Sequence, residues 1–227
     1  MKFDVIGMGA LNVDKLYIVN HIAKEDGESS ILDSFETCGG SAANTMVGLT
    51  RLGLKTGYVG KVAWDREGRL LLKDFEKEKV DTEGIVVAKT GRSGVVIGFV
   101  DKEGERALYI DAGVNSALGF DEINLQYAHN ASFIHITSFV GEKAFQVQKK
   151  LRTLISNNVK ISLDPGELYA KKGLTVLKPI IKRCFDIFPN EHELELLTGE
   201  DHKEGVERYL TKAQRLSQLN LVRKDAT

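Results

Sequence analysis

The 227-residue chain has two cysteines, three prolines, one tryptophan and no apolar stretch long enough to span a bilayer. Having only Cys38 and Cys184 argues against a disulfide framework, both thiols read as small packing groups, and a reducing cytoplasm is the expected setting. The longest apolar run, Gly94 to Val100, is far below the roughly 20 residues of a membrane helix, and Met1-Lys2-Phe3-Asp4 leads straight into a strand-like segment without a signal peptide. The 31 basic and 32 acidic side chains cancel and are interleaved, which leaves no electrostatic footprint for nucleic acid. Five histidines and two cysteines show no metal-ligand spacing. The 42% hydrophobic content is enough for a core, so the chain reads as one large globular unit.

What is present is an alternation of short apolar runs and amphipathic stretches. Phe3–Gly9, Tyr58–Val62, Gly84–Val87, Phe133–Ile136, Val159–Leu163 and Phe185–Phe188 read as buried strands. Helices are expected over 41–52, 66–79, 143–156 and 175–182, the first stopped by Gly53. Repeated βα units predict an α/β fold, a doubly wound parallel sheet covered by helices on both faces. Leu16–Phe35 and Ser93–Asp111 break the rhythm and read as antiparallel ribbons pairing into a small β lid over the main sheet.

In open parallel sheets ligands bind beyond the carboxyl ends of the strands, so the loops there carry the candidate chemistry. Asn12 and Asp14, read as the loop after the first strand, offer a donor pair and acceptors suited to neighbouring hydroxyls, or serve the turn alone. Gly39 and Gly40 open a helix whose first N–H groups can receive substrate oxygens, with Asn44 one turn in; the plainer reading makes Ser41 an ordinary N-cap. Arg106 can reach a phosphate or ring substituent, or is a solvated charge on an edge strand. His135, between Ile134 and Ile136, reads as a packed, hydrogen-bonded side chain. Gly7-Met8-Gly9 lacks the third glycine and the immediate helix of a dinucleotide-binding turn.

Asn12-Val13-Asp14, Gly39-Gly40-Ser41-Ala42-Ala43-Asn44, Gly53, Gly60 and Trp64-Asp65-Arg66-Glu67-Gly68 together resemble the ribokinase (PfkB) family of carbohydrate and nucleoside kinases. Ala112-Gly113-Val114-Asn115 and Phe188-Pro189-Asn190-Glu191-His192-Glu193 follow in the family's order. The resemblance implies a ribokinase-like fold over residues 1–208 with lid segments near 15–36 and 93–112. It implies that Asn12, Asp14, Gly39, Gly40 and Asn44 hold the hydroxyls of a sugar or nucleoside. Asn190 and Glu193 would place ATP and Mg²⁺, with Glu193 on the metal side. Phe139 falls where some relatives carry a polar substrate contact, Ser41 replaces a lysine of some ribokinases, and a homodimer joined lid to lid is expected.

The family's Gly-Ala-Gly-Asp motif, which supplies its phosphate cradle and its catalytic aspartate, occurs nowhere in the 227 residues. The expectation is therefore a truncated, inactive kinase with no catalytic residue of its own, the alternatives being a nucleoside kinase or a non-catalytic binding fragment. The tail 209–227 lacks the strand the fold needs next. Permitted codons for it, read in a shifted frame, yield Leu-Asn-Lys-Gly-Ala-Lys-Ile-Val-Ala-Val-Lys-Pro-Gly, a helix end, strand and turn, so a frameshift near Tyr209 is expected. The rival is an amphipathic terminal helix carrying Val206, Leu210, Ala213 and Leu216.

Overall fold

A computed structural model describes residues 3–200; the expectations for the tail lie outside them. In chain order the strands are β1 Phe3–Met8, β2 Asn12–Val19, β3 Ile31–Gly39, β4 Thr56–Ala63, β5 Ile85–Ala88, β6 Gly94–Val100, β7 Arg106–Asp111, β8 Ala131–Thr137, β9 Lys160–Asp164 and β10 Asp186–Ile187. The helices are α1 Ser41–Arg51, α2 Arg66–Lys77, α3 Leu125–His129, α4 Glu142–Leu154, α5 Gly166–Ala170, α6 Gly173–Ile181 and α7 Glu191–Thr198.

Six strands form one parallel sheet in the order β10-β9-β8-β1-β4-β5. The continuous apolar runs follow from burial on both faces. Ile6 and Met8 of β1 and Val59 of β4 join the cluster beneath α4, α5 and α6, while Val5 and Tyr58 join the one beneath α1 and α2. The expected strand Phe185–Phe188 narrows to Asp186–Ile187, although the Phe185 and Phe188 N–H groups still donate to the Ile161 and Leu163 carbonyls of β9.

The second sheet has the order β3-β2-β6-β7, with β2 and β6 parallel in the centre and antiparallel partners outside. The two ribbons therefore pair as expected, but the lid starts earlier than its apolar run suggests. Asn12 to Asp14 belong to β2 and not to a loop, because Val13 between them is fully buried and continues the strand alternation.

The segment Trp64–Gly68 proves to be the lid's anchor. Asp65 caps α2 by accepting the Gly68 N–H at 2.8 Å, and it accepts the Ser93 N–H and hydroxyl, each at 2.7 Å. Lys15 of β2 pairs with Glu67 at 2.9 Å, and Arg66 grips Glu36 of β3 through two nitrogens at 2.7 and 2.9 Å. Cys38 and Cys184 are free thiols whose pKa values burial pushes up to about 11 and about 12, consistent with packing roles.

Candidate active site

Where β1 ends and the lid begins, Asn12, Ala10, Gly40, Ser41 and Ser138 line a cavity of about 160 Å³, roofed from the lid by Ile110. The backbone is shaped for close approach. Gly40 has φ +117°, and a side-chain carbon there would collide with the Ala10 carbonyl. A side-chain carbon at Gly39 would overlap the Asp14 carboxylate, so Gly39 is bare because Asp14 occupies that space.

Gly40 is the N-cap of α1 and supplies no side chain, and the first intrahelical bond runs from Asn44 N–H to the Gly40 carbonyl at 2.9 Å. The N-cap reading of Ser41 is overturned. Its hydroxyl donates instead to Asp164 Oδ2 at 2.7 Å, leaving the first-turn N–H groups of α1 without a side-chain cap among the described residues. Asn44 is exposed on α1's first turn and outside the cavity lining.

Asp14 is half-buried, and its carboxylate has no hydrogen bond or ion pair among the described residues. Burial alone holds its pKa above the usual aspartate range. The register places Asp14, Val96 and Ile110 in one row, and Asn12 two residues away on the same face of β2.

Beyond the Ser41–Asp164 hydrogen bond lies a wider groove of about 650 Å³ that includes Thr45, His135, Asp164, Asn190 and Glu193. Asn190 and Glu193 form a reciprocal cap on α7: Asn190 Oδ1 accepts the Glu193 N–H at 2.8 Å, and Glu193 accepts from the Asn190 N–H at 3.1 Å and from its amide at 2.9 Å. Glu193 is only 8% exposed. Burial raises its pKa, Asn190's N–H opposes, and the Asp164 and Glu167 charges add to the rise. Two carboxylates that repel in a partly desolvated groove suit a cation carrying its own waters, although no cluster of three or more metal-ligating side chains exists among the described residues. His135 accepts or donates at Nδ1 to the Ser162 hydroxyl at 3.0 Å, and burial lowers its pKa despite the Asp164 charge, as a packed histidine requires.

Of the expected substrate residues, Asn12 and Gly40 line the smaller cavity, whereas Asp14, Gly39, Asn44, Phe139 and Arg106 are outside its lining. Phe139 is 2% exposed in the main core, and its neighbours Ser138 and Val140 line the cavity in its place. Arg106 is exposed on the edge strand β7, four residues along from Ile110, or about 13 Å at the strand's rise. Asn115, the last residue of the Ala112-Gly113-Val114-Asn115 segment, has no site role in the sequence reading, yet it is fully buried behind Asn12.

A family description, pfkB family carbohydrate kinase, matches residues 13–224. The chain belongs to the PfkB family of carbohydrate kinases. A relative described as a sugar kinase of Archaeoglobus fulgidus is 40% identical over 162 residues, covering 71% of this chain and 64% of its own. The ATP-dependent ribose-1-phosphate kinase of Halopiger xanaduensis is 32% identical over 199 residues, 88% of this chain and 65% of the relative. The chain thus spans about two thirds of the length of these curated relatives. Among solved PfkB-like folds, Arabidopsis thaliana ribokinase complexed with ribose and ATP superposes with TM-score 0.79 at 20% identity, covering 95% of this chain and 70% of that one. A Methanocaldococcus jannaschii nucleoside kinase gives 0.74 at 20% identity, covering 91% and 68%.

Proposed function

We propose that the chain carries the sugar-binding side of an ATP- and Mg²⁺-dependent kinase that phosphorylates a hydroxyl of a small sugar or sugar phosphate. The observation that carries this reading is Asp14, a half-buried carboxylate without a partner among the described residues, set beside Asn12 and a bare glycine pair. Such a group lacks an acceptor's partner that a sugar hydroxyl supplies. The cavity of about 160 Å³ is below the roughly 300–1,000 Å³ of pockets for larger ligands, which favours a monosaccharide over a nucleoside. Ribose 1-phosphate, the substrate in the Halopiger relative's name, is a fitting first probe.

Glu193 and Asp164 would hold Mg²⁺ through water beside the ATP phosphates, where the ion would neutralise charge on the transferring group. With no Gly-Ala-Gly-Asp in its 227 residues, this chain is expected to bind sugar without turnover at kinase rates. Titration calorimetry with D-ribose, D-ribose 1-phosphate and adenosine, alongside an ADP-release assay with ATP and Mg²⁺, tests both parts. Binding of neither sugar ends the site reading, and full turnover ends the inactivity reading. Resequencing the gene around codon 209 decides the frameshift.

The lid supports a homodimer. Phe35, Leu16, Gly98 and Leu108 form one row across its four strands, with Ile110 in the adjacent row on the same face. Phe35, Leu108 and Ile110 remain 47–51% exposed, a surface suited to a second copy. Sedimentation at micromolar concentration is expected to give a dimer that Leu108→Asp dissociates; a monomeric parent chain refutes it.

A further inference from the structure

We infer that Asn115 is a positioning residue: it turns the Asn12 amide so that the NH2 group, not the carbonyl, faces the sugar. This deepens the sugar-site reading above and rests on it. Asn115 Oδ1 accepts the Leu11 N–H at 3.0 Å, and Asn115 Nδ2 donates to the Leu11 carbonyl at 2.8 Å. A flipped Asn115 would set two donors and two acceptors against each other in a fully buried place, so the backbone of Leu11 fixes which end of this amide is which. The second hydrogen on Nδ2 points to Asn12 at 3.1 Å and needs an acceptor there, which only Oδ1 of Asn12 provides.

Gly94 closes the arrangement from the lid. A side-chain carbon at this position would overlap both Asn115 Nδ2 and Asn12 Oδ1, so the glycine exists to admit the amide pair. With its oxygen committed, Asn12 has its NH2 left for the cavity it lines. This face of β2 therefore carries a donor at Asn12, in the cavity lining, and an acceptor at Asp14, outside that lining and two residues along with its Cα about 6.6 Å away. It selects a polyol in which one hydroxyl oxygen accepts while a nearby hydroxyl donates. A sequence of three polar contacts, from the Leu11 peptide through Asn115 to Asn12, transmits main-chain polarity to the ligand.

The test uses titration calorimetry with D-ribose and D-ribose 1-phosphate on the 227-residue chain. Asn12→Asp keeps an acceptor for Asn115 but replaces the NH2 by oxygen, and we expect at least a tenfold loss of affinity; unchanged affinity overturns the polarity. Asn115→Asp is expected to weaken binding about tenfold in the parent chain and not at all in the Asn12→Ala background. Equal losses in the two backgrounds would show a structural role only and overturn the inference. Should Asn115→Asp fail to fold by circular dichroism, the Asn12→Asp arm decides alone. If the parent chain binds neither sugar, the site reading falls and the inference with it, whereas binding with additive losses removes the inference alone.

Discussion

An Asp14→Ala chain is expected to bind D-ribose or D-ribose 1-phosphate roughly 10- to 150-fold more weakly than the parent, the range for a lost hydrogen bond to a charged group. It is also expected to melt no lower. The carboxylate has no partner to lose among the described residues, and burial already holds its pKa above the ordinary aspartate value. Because the folded-state pKa lies above the unfolded one, the ionised form opposes folding at neutral pH, and that opposition fades as pH falls through the raised value. Asp14→Asn should therefore raise Tm at pH 7, with an advantage that shrinks on acidification. Since the group is nearly half exposed, solvent limits the gain to at most about 1 kcal/mol, or about 2–4 °C. Sugar affinity of the parent chain should decline on acidification at a pH above that expected for an ordinary aspartate near 3.9, while the affinity of Asp14→Asn stays level. A variant that melts lower, or that keeps full affinity, contradicts this account of Asp14.

The second large effect is expected at Gly40. Its φ of +117° is closed to side-chain-bearing residues, and the added carbon of Gly40→Ala would meet the Ala10 carbonyl, which is backbone and cannot swing away. We expect a loss of about 2–4 kcal/mol, or roughly 5–15 °C in Tm, together with loss of measurable sugar binding as the start of α1 moves. Gly48→Ala is the matched control on the same helix. A carbon there meets nothing, and its exposed helical position should gain about 0.5–1 kcal/mol from the same substitution. Differential scanning calorimetry that finds the two variants melting alike would refute the role given to Gly40.

The parallel sheet was legible because its strands are buried on both faces and so write unbroken apolar runs such as Val5-Ile6-Gly7-Met8 into the chain. The start of the lid was less so. Asn12 and Asp14 are polar residues on one face of a strand whose opposite face shows only Val13 at that point, and one apolar residue carries no period. Phe139 illustrates a different limit. After β8 the chain leaves regular structure, and whether Phe139 or its neighbours Ser138 and Val140 turn inward depends on the packing of α4 and α5 against it, which local sequence does not encode. Arg106 failed for a related reason: placing it in the lid was right, but its distance from Asp14 is fixed by the register of β6 on β7, not by the spacing of either ribbon. The segment around Trp64 was recognisable as a motif, yet its work is to hold α2 and the lid together.

That anchoring has a consequence for how the molecule should respond to its medium. The main sheet is held by apolar contact, which added salt leaves intact or strengthens. The lid, beyond its buried root at Val13 and the Asp65–Ser93 hydrogen bonds, is tied to α2 by the ion pairs Lys15–Glu67 and Arg66–Glu36, with Arg66 63% exposed. Near 1 M ionic strength the screening length falls to about 3 Å, and such ties weaken. Salt is thus a handle on one part of the fold alone, loosening the cover over the cavity while the floor stays firm.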